Sequence, residues 1–412
     1  MKQLAKTALL IFILSSCADA VVEEVGSEWK SIERDLQTQL ITTRDSAVIE
    51  LPEGSFMFTK SLTMDGKKHL TLKGKGIDKT ILSFESQEEG AEGLKISNAV
   101  NVTLEDFTIE NAKGDNIKIT DTEGIVMRRV KSQWTGEPQE ENGAYAFYPV
   151  LSKNILIEEC IAIGASDAGI YVGQSDSVIV RNNEAYYNVA GIESENSKWV
   201  EISNNFAHDN TGGILVFDLP GLTQYGHTTQ VINNKVFDNN FRNFAPAGNV
   251  VATVPPGTGI MLLATRDIEI QNNEIVDNRT IGAAIISYEI VEALATTDQS
   301  QLNENIDKSR KDKNYDPYPK NIYIHDNIFQ NSYWFGDLSN DFGQLFLLKF
   351  PFSTPDIIWD GFVPSGGNVG LCIQQSDIKF ANIDAGGDFA DLSTDITPFE
   401  CEGKSINLTL LE

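Results

Sequence analysis

Apolar residues recur along the chain at a step of 22 residues, and the repeat is clearest between residues 155 and 210. When Val178 is placed on Val200, apolar positions fall on apolar positions and asparagines fall on asparagines. A short period of this kind is typical of a solenoid, in which each repeat buries its apolar residues only against its neighbours. Two columns of inward residues follow the period: Val102, Ile125, Ile155, Val178, Val200, Thr229, Ile268 and Ile322, and then Leu104, Met127, Ile157, Val180, Ile202, Val231, Ile270 and Ile324.

A third column, five residues after the first, changes from apolar residues to asparagine. A bend in the chain leaves backbone groups unpaired, and a stacked asparagine can pair them while bonding its copies in the adjacent repeats. The asparagines are therefore predicted to be structural, and Cys160 in the same column is predicted to be a buried apolar filler. The column contains Phe107, Val130, Cys160, Asn183, Asn205, Asn234, Asn273 and Asn327.

A further apolar segment closes each repeat and opens with Gly-Ile in several of them, for example at Gly191-Ile192; the last copy is predicted at Ala284-Ile285. Three short strands per repeat, stacked in parallel, predict an all-β fold: a right-handed, single-stranded parallel β-helix with coils of about 22 residues. The pattern covers residues 93–332. We call the sheet formed by these closing strands the Gly-Ile sheet.

The two ends of the chain depart from the repeat. Apolar residues at helical spacing predict a short amphipathic helix over 28–41, which begins with Trp29 and would cap the first coil. The β-helix with its cap is assigned to residues 28–332. Residues 333–412 lack the repeat and are predicted to form a C-terminal cover of the same domain, which a Cys372–Cys401 disulfide could close.

Four insertions interrupt the repeat, at about 134–146, 218–228, 241–257 and 289–320, and all of them flank the Gly-Ile strand. Insertions in repeat proteins collect on the binding face, so the outer surface of the Gly-Ile sheet is the predicted floor of any cleft. Its C-terminal half is apolar and is expected to be covered by the loops or by the C-terminal segment. Its polar N-terminal half is expected to remain open.

The polar half supplies the candidate site. Removing the proton beside a uronate carboxylate needs a base, an acid and a group that neutralises the carboxylate, and tyrosine, lysine and glutamate can supply them. Adjacent coils lie about 4.8 Å apart, so side chains in one column can act together. Stacked carboxylates could instead bind Ca²⁺, the one cofactor considered, or form a solvated face. The candidate catalytic residues are Tyr171, Glu193 and Lys118, and the candidate binding residues are Glu195, Asp167, Asp218 and Lys95.

Composition and the N-terminus limit the partners. The chain has 32 basic and 59 acidic residues, a formal net charge of −27, which disfavours nucleic acid and anionic lipid. Residues 1–16 have the basic start and short apolar core of an export signal. The cysteine after Leu14-Ser15-Ser16 resembles a bacterial lipobox. That resemblance implies lipidation of Cys17, a spacer over 17–27, and an outer-membrane lipoprotein that faces the periplasm or the cell surface.

The Leu-Pro-Glu-Gly turn at 51–54, after the predicted helix, resembles the N-terminal cap of β-helices of the pectate-lyase-like superfamily. With the lipobox, the Asn-Asn pairs and the PDIIWDGF segment at 355–362, the chain is similar to exported β-helix-repeat lipoproteins of Gram-negative bacteria. This resemblance implies a polysaccharide or a co-encoded secreted protein as partner, and a membrane contact only through the lipid. The Asp-Pro-His signature of mannuronan epimerases is missing, since Asp316-Pro317 is followed by Tyr318.

Three functions follow as hypotheses, of which the third is a Ca²⁺-dependent structural scaffold. In the first, the protein binds a glycan or a partner protein on the Gly-Ile sheet without catalysis. In the second, it is a polysaccharide lyase or uronate epimerase that acts on the same face.

Overall fold

The computed structural model describes residues 30–294, 300–365 and 367–408. The predicted export signal, Cys17, the spacer and Trp29 lie outside these residues. The helices are α1 (Glu33–Thr42), α2 (Tyr288–Leu294), α3 (Ser300–Lys311) and α4 (Asp341–Lys349). The strands are β1 (Val48–Glu50), β2 (Gly54–Met57), β3 (Lys60–Asp65), β4 (Thr71–Lys73), β5 (Thr80–Ser83), β6 (Glu89–Ser97), β7 (Val100–Glu110), β8 (Ile117–Thr120), β9 (Glu123–Gln133), β10 (Tyr145–Val150), β11 (Lys153–Glu158), β12 (Ile161–Ile163), β13 (Ala168–Gly173), β14 (Asp176–Arg181), β15 (Glu184–Tyr186), β16 (Ala190–Glu195), β17 (Lys198–Ser203), β18 (Phe206–His208), β19 (Gly212–Phe217), β20 (His227–Ile232), β21 (Lys235–Phe237), β22 (Thr258–Leu263), β23 (Arg266–Gln271), β24 (Glu274–Val276), β25 (Ile281–Ile286), β26 (Lys320–His325), β27 (Ile328–Gln330), β28 (Ile357–Trp359), β29 (Leu371–Gln374) and β30 (Phe380–Asn382).

The strands form coils of three, such as β11, β12 and β13, and each strand pairs in parallel with its equivalent in the next coil. The first and second strands of the coils make one 19-stranded sheet, and the third strands make the 11-stranded Gly-Ile sheet. This is the parallel β-helix that the 22-residue period predicts. The inward columns are buried throughout, from Val102 to Ile324. Each fully buried aliphatic side chain of this kind contributes about 1.5–3 kcal/mol, so the stack is stabilised mainly by these columns.

The asparagine column forms a hydrogen-bonded ladder. The Oδ1 atom of Asn205 accepts bonds from the backbone N–H and the side-chain amide of Asn183, each at 3.0 Å. The Nδ2 atom of Asn205 donates to the carbonyl of Val180 and to Oδ1 of Asn234. The same arrangement continues through Asn273 and Asn327. These asparagines are buried and fully bonded inside the coil bend, as a structural role requires.

Asn205→Ala is expected to lower the free energy of unfolding by about 3–5 kcal/mol, because it leaves buried donors and acceptors of three neighbours unpaired. Urea unfolding of the purified protein measures the effect. Asn407→Ala, at an exposed asparagine, is the matched control and is expected to change little. Equal stabilities of the two variants would show that the ladder does not hold the stack.

Both ends of the stack differ in detail from expectation. Helix α1 begins at Glu33 and caps the first coils with Leu36 and Leu40, which are buried. At the other end, β29 joins the 19-stranded sheet, and β28 and β30 join the Gly-Ile sheet. The β-helix therefore continues beyond residue 332, where the repeat was predicted to end. Cys372 and Cys401 form a disulfide there.

The apolar half of the Gly-Ile sheet is covered, as predicted. Leu215, Phe217, Met261 and Leu263 face outwards and pack in one apolar cluster with residues from the 241–257 and 289–320 insertions and from α4. We call these covering segments the apolar cover. One position of the predicted column is wrong. Ile260 pairs with Ala283, so the last strand opens at Gly282-Ala283 rather than Ala284-Ile285, and the outward residues of that coil are Ala284 and Ile286. Residues contributed by the cover are Phe244, Val250, Val251, Val254, Ile290, Val291, Ile306, Tyr315 and Phe346.

Candidate functional site

A pocket of about 240 Å³ lies on the outer face of the Gly-Ile sheet, at the boundary between its polar and apolar halves. Its floor comes from β16, where Glu193 pairs with Tyr171 of β13 and Glu195 pairs with Gly173. The insertions around residues 218–228 and 241–257 form its sides. The pocket is lined by Tyr145, Asp167, Glu193, Glu195, Leu219, Gly248, Asn249, Val250, Val251 and Lys308.

The phenol of Tyr171 fixes the carboxylate of Glu195. Tyr171 donates from its hydroxyl to Oε1 of Glu195 at 2.8 Å. Its ring reaches across its own strand over Gly173, where an added Cβ atom would lie 2.3 Å from the ring and the hydroxyl. Since Gly173 is the register partner of Glu195, the missing side chain provides the path for this hydrogen bond. Tyr171 is buried and does not line the pocket, so it acts through Glu195.

Gly173→Ala is expected to displace the Tyr171 ring and to lower the free energy of unfolding by about 1–3 kcal/mol, the usual cost of overpacking. Gly136→Ala is the control, because an added Cβ there meets nothing within 4 Å. Thermal and urea unfolding of the two variants measure the difference. A stable Gly173→Ala protein would show that Tyr171 has another position available.

A second tyrosine contacts a second carboxylate of the pocket, at the opposite end of the strands. The hydroxyl of Tyr145 lies 3.3 Å from Oδ2 of Asp167, and Nδ2 of Asn249 lies 3.5 Å from the same oxygen. The Tyr145 ring packs against Tyr148 and Tyr171, with ring centres 4.4 and 4.6 Å apart. Asp167 thus receives one contact from the sheet and one from the 241–257 insertion.

The three carboxyl groups of the pocket share protons. Burial, together with the charge of Glu195, raises the pKa of Asp167 to about 7, and burial raises the pKa of Glu195 to about 7. Burial, followed by the charges of Asp167 and Glu195, raises the pKa of Glu193 well above its ordinary value. Glu193 is 2% exposed, and its Oε2 atom has no hydrogen-bond partner within the described part of the chain. At neutral pH Asp167 and Glu195 are therefore near the middle of their titration, and Glu193 holds its proton more strongly than an exposed glutamate does.

Comparison with known proteins identifies the fold. Residues 64–225 match the family model described as the right handed beta helix region. The chain therefore has the right-handed parallel β-helix fold. The A-module of the mannuronan C-5 epimerase AlgE4 of Azotobacter vinelandii has the same fold, with a TM-score of 0.55 and 14% identity over 87% of this chain and 93% of that one. The AlgE6 A-module of the same organism gives a TM-score of 0.53 and 13% identity over 85% and 91%. A search of curated proteins finds no match.

Three of the predicted residues lie elsewhere on this β-helix. Lys118 lies two coils before Tyr171 in the same column, with its Nζ atom 3.4 Å from Asp115 and 4.8 Å from the centre of the Tyr148 ring. Lys95 is one coil further away. Asp218 accepts a bond from the backbone N–H of Gly226 at 2.7 Å and lies 3.7 Å from Arg266, so it holds the 218–228 insertion in place.

The polar half of the sheet is less open than predicted. Glu193 and Asp167 are buried beside the 241–257 insertion and α3, and Tyr171 is buried beneath the rings of Tyr145 and Tyr148. Tyr145, Glu195 and the region around Lys95, Lys118 and Tyr148 remain partly exposed. The expected open floor is therefore a pocket with a partly open approach.

Sequence reasoning missed the residues that complete the pocket. Tyr145 occupies a column of small residues two positions before the inward Phe147, and following that column back from Ala168 and Ala190 would have found it. Asn249, Leu219 and Lys308 lie in insertions and have no periodic signal. Within residues 30–294, 300–365 and 367–408, no group of three or more His, Cys, Asp or Glu side chains is arranged to hold a metal ion. In the same ranges no helix is long and apolar enough to span a membrane.

Proposed function

We propose that this protein is an enzyme that acts on a uronate-containing polysaccharide by removing the proton from C5, the carbon next to the uronate carboxylate. The observation that carries the proposal is the cluster of buried Asp167 and Glu193 with half-buried Glu195 in a pocket of the Gly-Ile sheet. Carboxyl groups that titrate near pH 7 can take up and return a proton under physiological conditions, as acid–base catalysis requires. Burying carboxylates without a paired cation costs stability, which favours a functional reason for the cluster.

We assign Asp167 and Glu195 as the two proton-transfer groups. Asp167 immediately precedes β13 and Glu195 is the last residue of β16. The two residues therefore border the pocket at opposite ends of the strands. One of them, ionised, takes the C5 proton. The other, protonated, returns a proton to the opposite face of C5, which inverts that carbon and leaves all other bonds unchanged.

The same first step can lead to elimination. The electrons of the broken C5–H bond then form the C4–C5 double bond, the C4–O bond to the neighbouring sugar breaks, and the protonated group gives its proton to the leaving oxygen. Epimerisation and elimination therefore need the same pair of groups and differ in where the second proton goes.

Glu193 lies between the two and is assigned to the substrate carboxylate. As a neutral acid it can donate a hydrogen bond to the negative charge that grows when C5 loses its proton. Lys118, one of the three catalytic candidates from the sequence, does not line the pocket. Lys308 lines the pocket as well and adds a positive charge at its rim.

The fold supports this proposal, since the A-modules of mannuronan C-5 epimerases share it over most of their length. Binding of a glycan or partner protein without turnover, the first hypothesis from the sequence, is less well supported. A site that only bound an acidic glycan would be expected to present fixed positive charge. The floor of this pocket consists instead of carboxyl groups that can exchange protons.

The test uses oligomers of mannuronate, galacturonate and glycosaminoglycan in D₂O. Removal and return of the C5 proton would incorporate deuterium into the sugar, detected by mass spectrometry and NMR, and elimination would give an unsaturated, ultraviolet-absorbing product. The double variant Asp167→Asn/Glu195→Gln controls for contaminating enzymes. The same assays with Ca²⁺ and with a chelator test whether Ca²⁺, the one cofactor considered from the sequence, affects the reaction. Absence of both deuterium and unsaturation with every oligomer would contradict the proposal.

A further inference from the structure

The pocket is closed on the side of the C-terminal coils. In the coil after Glu193 and Glu195, the register partners are Leu215 and Phe217. They are 0% and 2% exposed, because the apolar cover packs directly on them. A polysaccharide therefore cannot continue along the sheet past Glu195 in this direction.

The two lateral sides are closed as well. On one side, residues 248–251 line the pocket, and their insertion is fixed to the 134–146 insertion by a 2.6 Å hydrogen bond from Arg242 to the carbonyl of Pro138. On the other side stands Leu219, whose backbone N–H and carbonyl both bond to the Asn196 side chain, at 2.8 and 2.9 Å. The volume of 240 Å³ is below the roughly 300–1,000 Å³ of pockets for drug-sized ligands, and fits one sugar residue.

The approach from the N-terminal coils remains partly open. Tyr148 lies one coil before Tyr171 and is partly exposed, and Lys118 lies one coil further with its Nζ atom above the Tyr148 ring. The Lys118 and Lys95 side chains are 25% and 43% exposed, and both Nζ atoms lie 3.7 Å from the Glu92 carboxylate, which a substrate carboxylate would replace or share. An aromatic ring followed by two amines suits a chain of sugar rings that carry carboxylates.

We propose that the pocket takes the terminal residue of the polysaccharide, and that the rest of the chain runs out over Tyr148, Lys118 and Lys95. The protein then acts from a chain end rather than at internal residues. The chemistry of this inference rests on the proposed function. The predicted position of the polysaccharide depends only on the closed sides of the pocket and on its single approach.

The first test follows single turnovers on unlabelled uronate hexamers, with the changed residue located by tandem mass spectrometry. Action at a chain end predicts that the earliest product is changed only at one terminal residue, either shortened by one unit or carrying deuterium there. Hexamers blocked at that terminus should not react. Early products cleaved or labelled in the middle of the hexamer would overturn the inference while leaving the proposed function intact.

The second test needs no turnover. Calorimetric titration of the protein with short and long chains of the same polyuronate measures how many protein molecules bind per chain. Binding at the end predicts one protein per chain at every length, whereas a number that rises with length would overturn the inference. One protein per chain without any turnover would contradict the proposed function alone, and absence of both binding and turnover would overturn both.

A variant tests the path of the chain. Tyr148→Ala is expected to raise KM several-fold for hexamers and little for dimers, because it removes a contact outside the reacting residue, whereas any change in kcat through the packed Tyr145 and Tyr171 rings should be the same for both lengths. Tyr187→Ala, an exposed tyrosine away from the Gly-Ile sheet, is the control and should leave both constants unchanged. An unchanged KM for hexamers in the Tyr148→Ala protein would show that the chain does not leave along this path.

Discussion

Asp167→Asn and Glu195→Gln are each expected to lower kcat for the uronate substrate by about 10²–10⁴-fold, the usual contribution of a positioned acid or base. Both groups move a proton in the proposed reaction, so neither amide can substitute. Glu193→Gln is expected to keep a substantially larger share of the activity. Glutamine resembles the protonated form of Glu193 and can still donate a hydrogen bond to the substrate carboxylate.

The comparison of these three variants separates the roles, and Asp360→Asn is the matched control. Asp360 is also a buried carboxyl whose pKa is raised by burial, to about 6, but it bonds Ser287 and lies outside the pocket. Its replacement should leave kcat unchanged. Equal loss in Glu193→Gln and Glu195→Gln would show that Glu193 transfers a proton itself. Wild-type activity in Asp167→Asn would exclude Asp167 from the reaction.

The second large effect concerns stability and pH. The folded protein raises the pKa of Asp167 and Glu195 to about 7, so it holds protons that the unfolded chain releases near pH 4. Their contribution to stability is therefore complete below about pH 4 and is lost as the pH rises through about 7. A shift of about three pKa units corresponds to roughly 4 kcal/mol for one group, before the coupling within the cluster reduces it.

Urea unfolding at pH 5 and at pH 8 checks this prediction. The wild type is expected to lose several kcal/mol over this range, and Asp167→Asn/Glu195→Gln is expected to lose less, because its two amides do not titrate. Most of the other carboxylates are ionised at both pH values, so general charge repulsion changes little between them. Parallel losses in the two proteins would show that the cluster does not couple folding to protonation.

The sequence predicted the coil because its inward columns have strong contrast between apolar and polar neighbours. β25 contains only small and apolar residues, so the pattern does not distinguish its inward from its outward positions. The predicted start of this strand is therefore wrong by two positions. Tyr171, Glu193 and Glu195 were placed in the correct columns for the same reason that the asparagines were. The residues beside them repeat clearly from coil to coil, and this repeat determined their predicted positions.

The closure of the site could not be predicted in this way. Polar side chains on an outer sheet face are usually solvated, so the carboxylates were expected to be open. Their burial depends on where Gly248–Val251 and α3 come to rest, and neither segment has a periodic partner that would fix its position. The raised pKa values are caused by that burial, so they could not be predicted from the sequence either.

The asparagine ladder gives the stack a direction. Between ladder residues the bonds all point one way: each backbone N–H and one side-chain N–H donate to the next oxygen towards the C-terminus, while the second side-chain N–H donates back to a carbonyl of the preceding coil. The ladder runs from Cys160, whose backbone N–H donates to Asn183, to Gln375, whose side chain accepts from the backbone N–H of Asn327. Aligned hydrogen bonds polarise one another, so each one strengthens the next. The coils before Cys160 are joined in this column only by apolar side chains, which have no such polarity. The coils from Cys160 onwards are therefore linked by aligned, cooperative hydrogen bonds, and the coils before it are linked in this column by apolar packing. The pocket lies close to the boundary between the two.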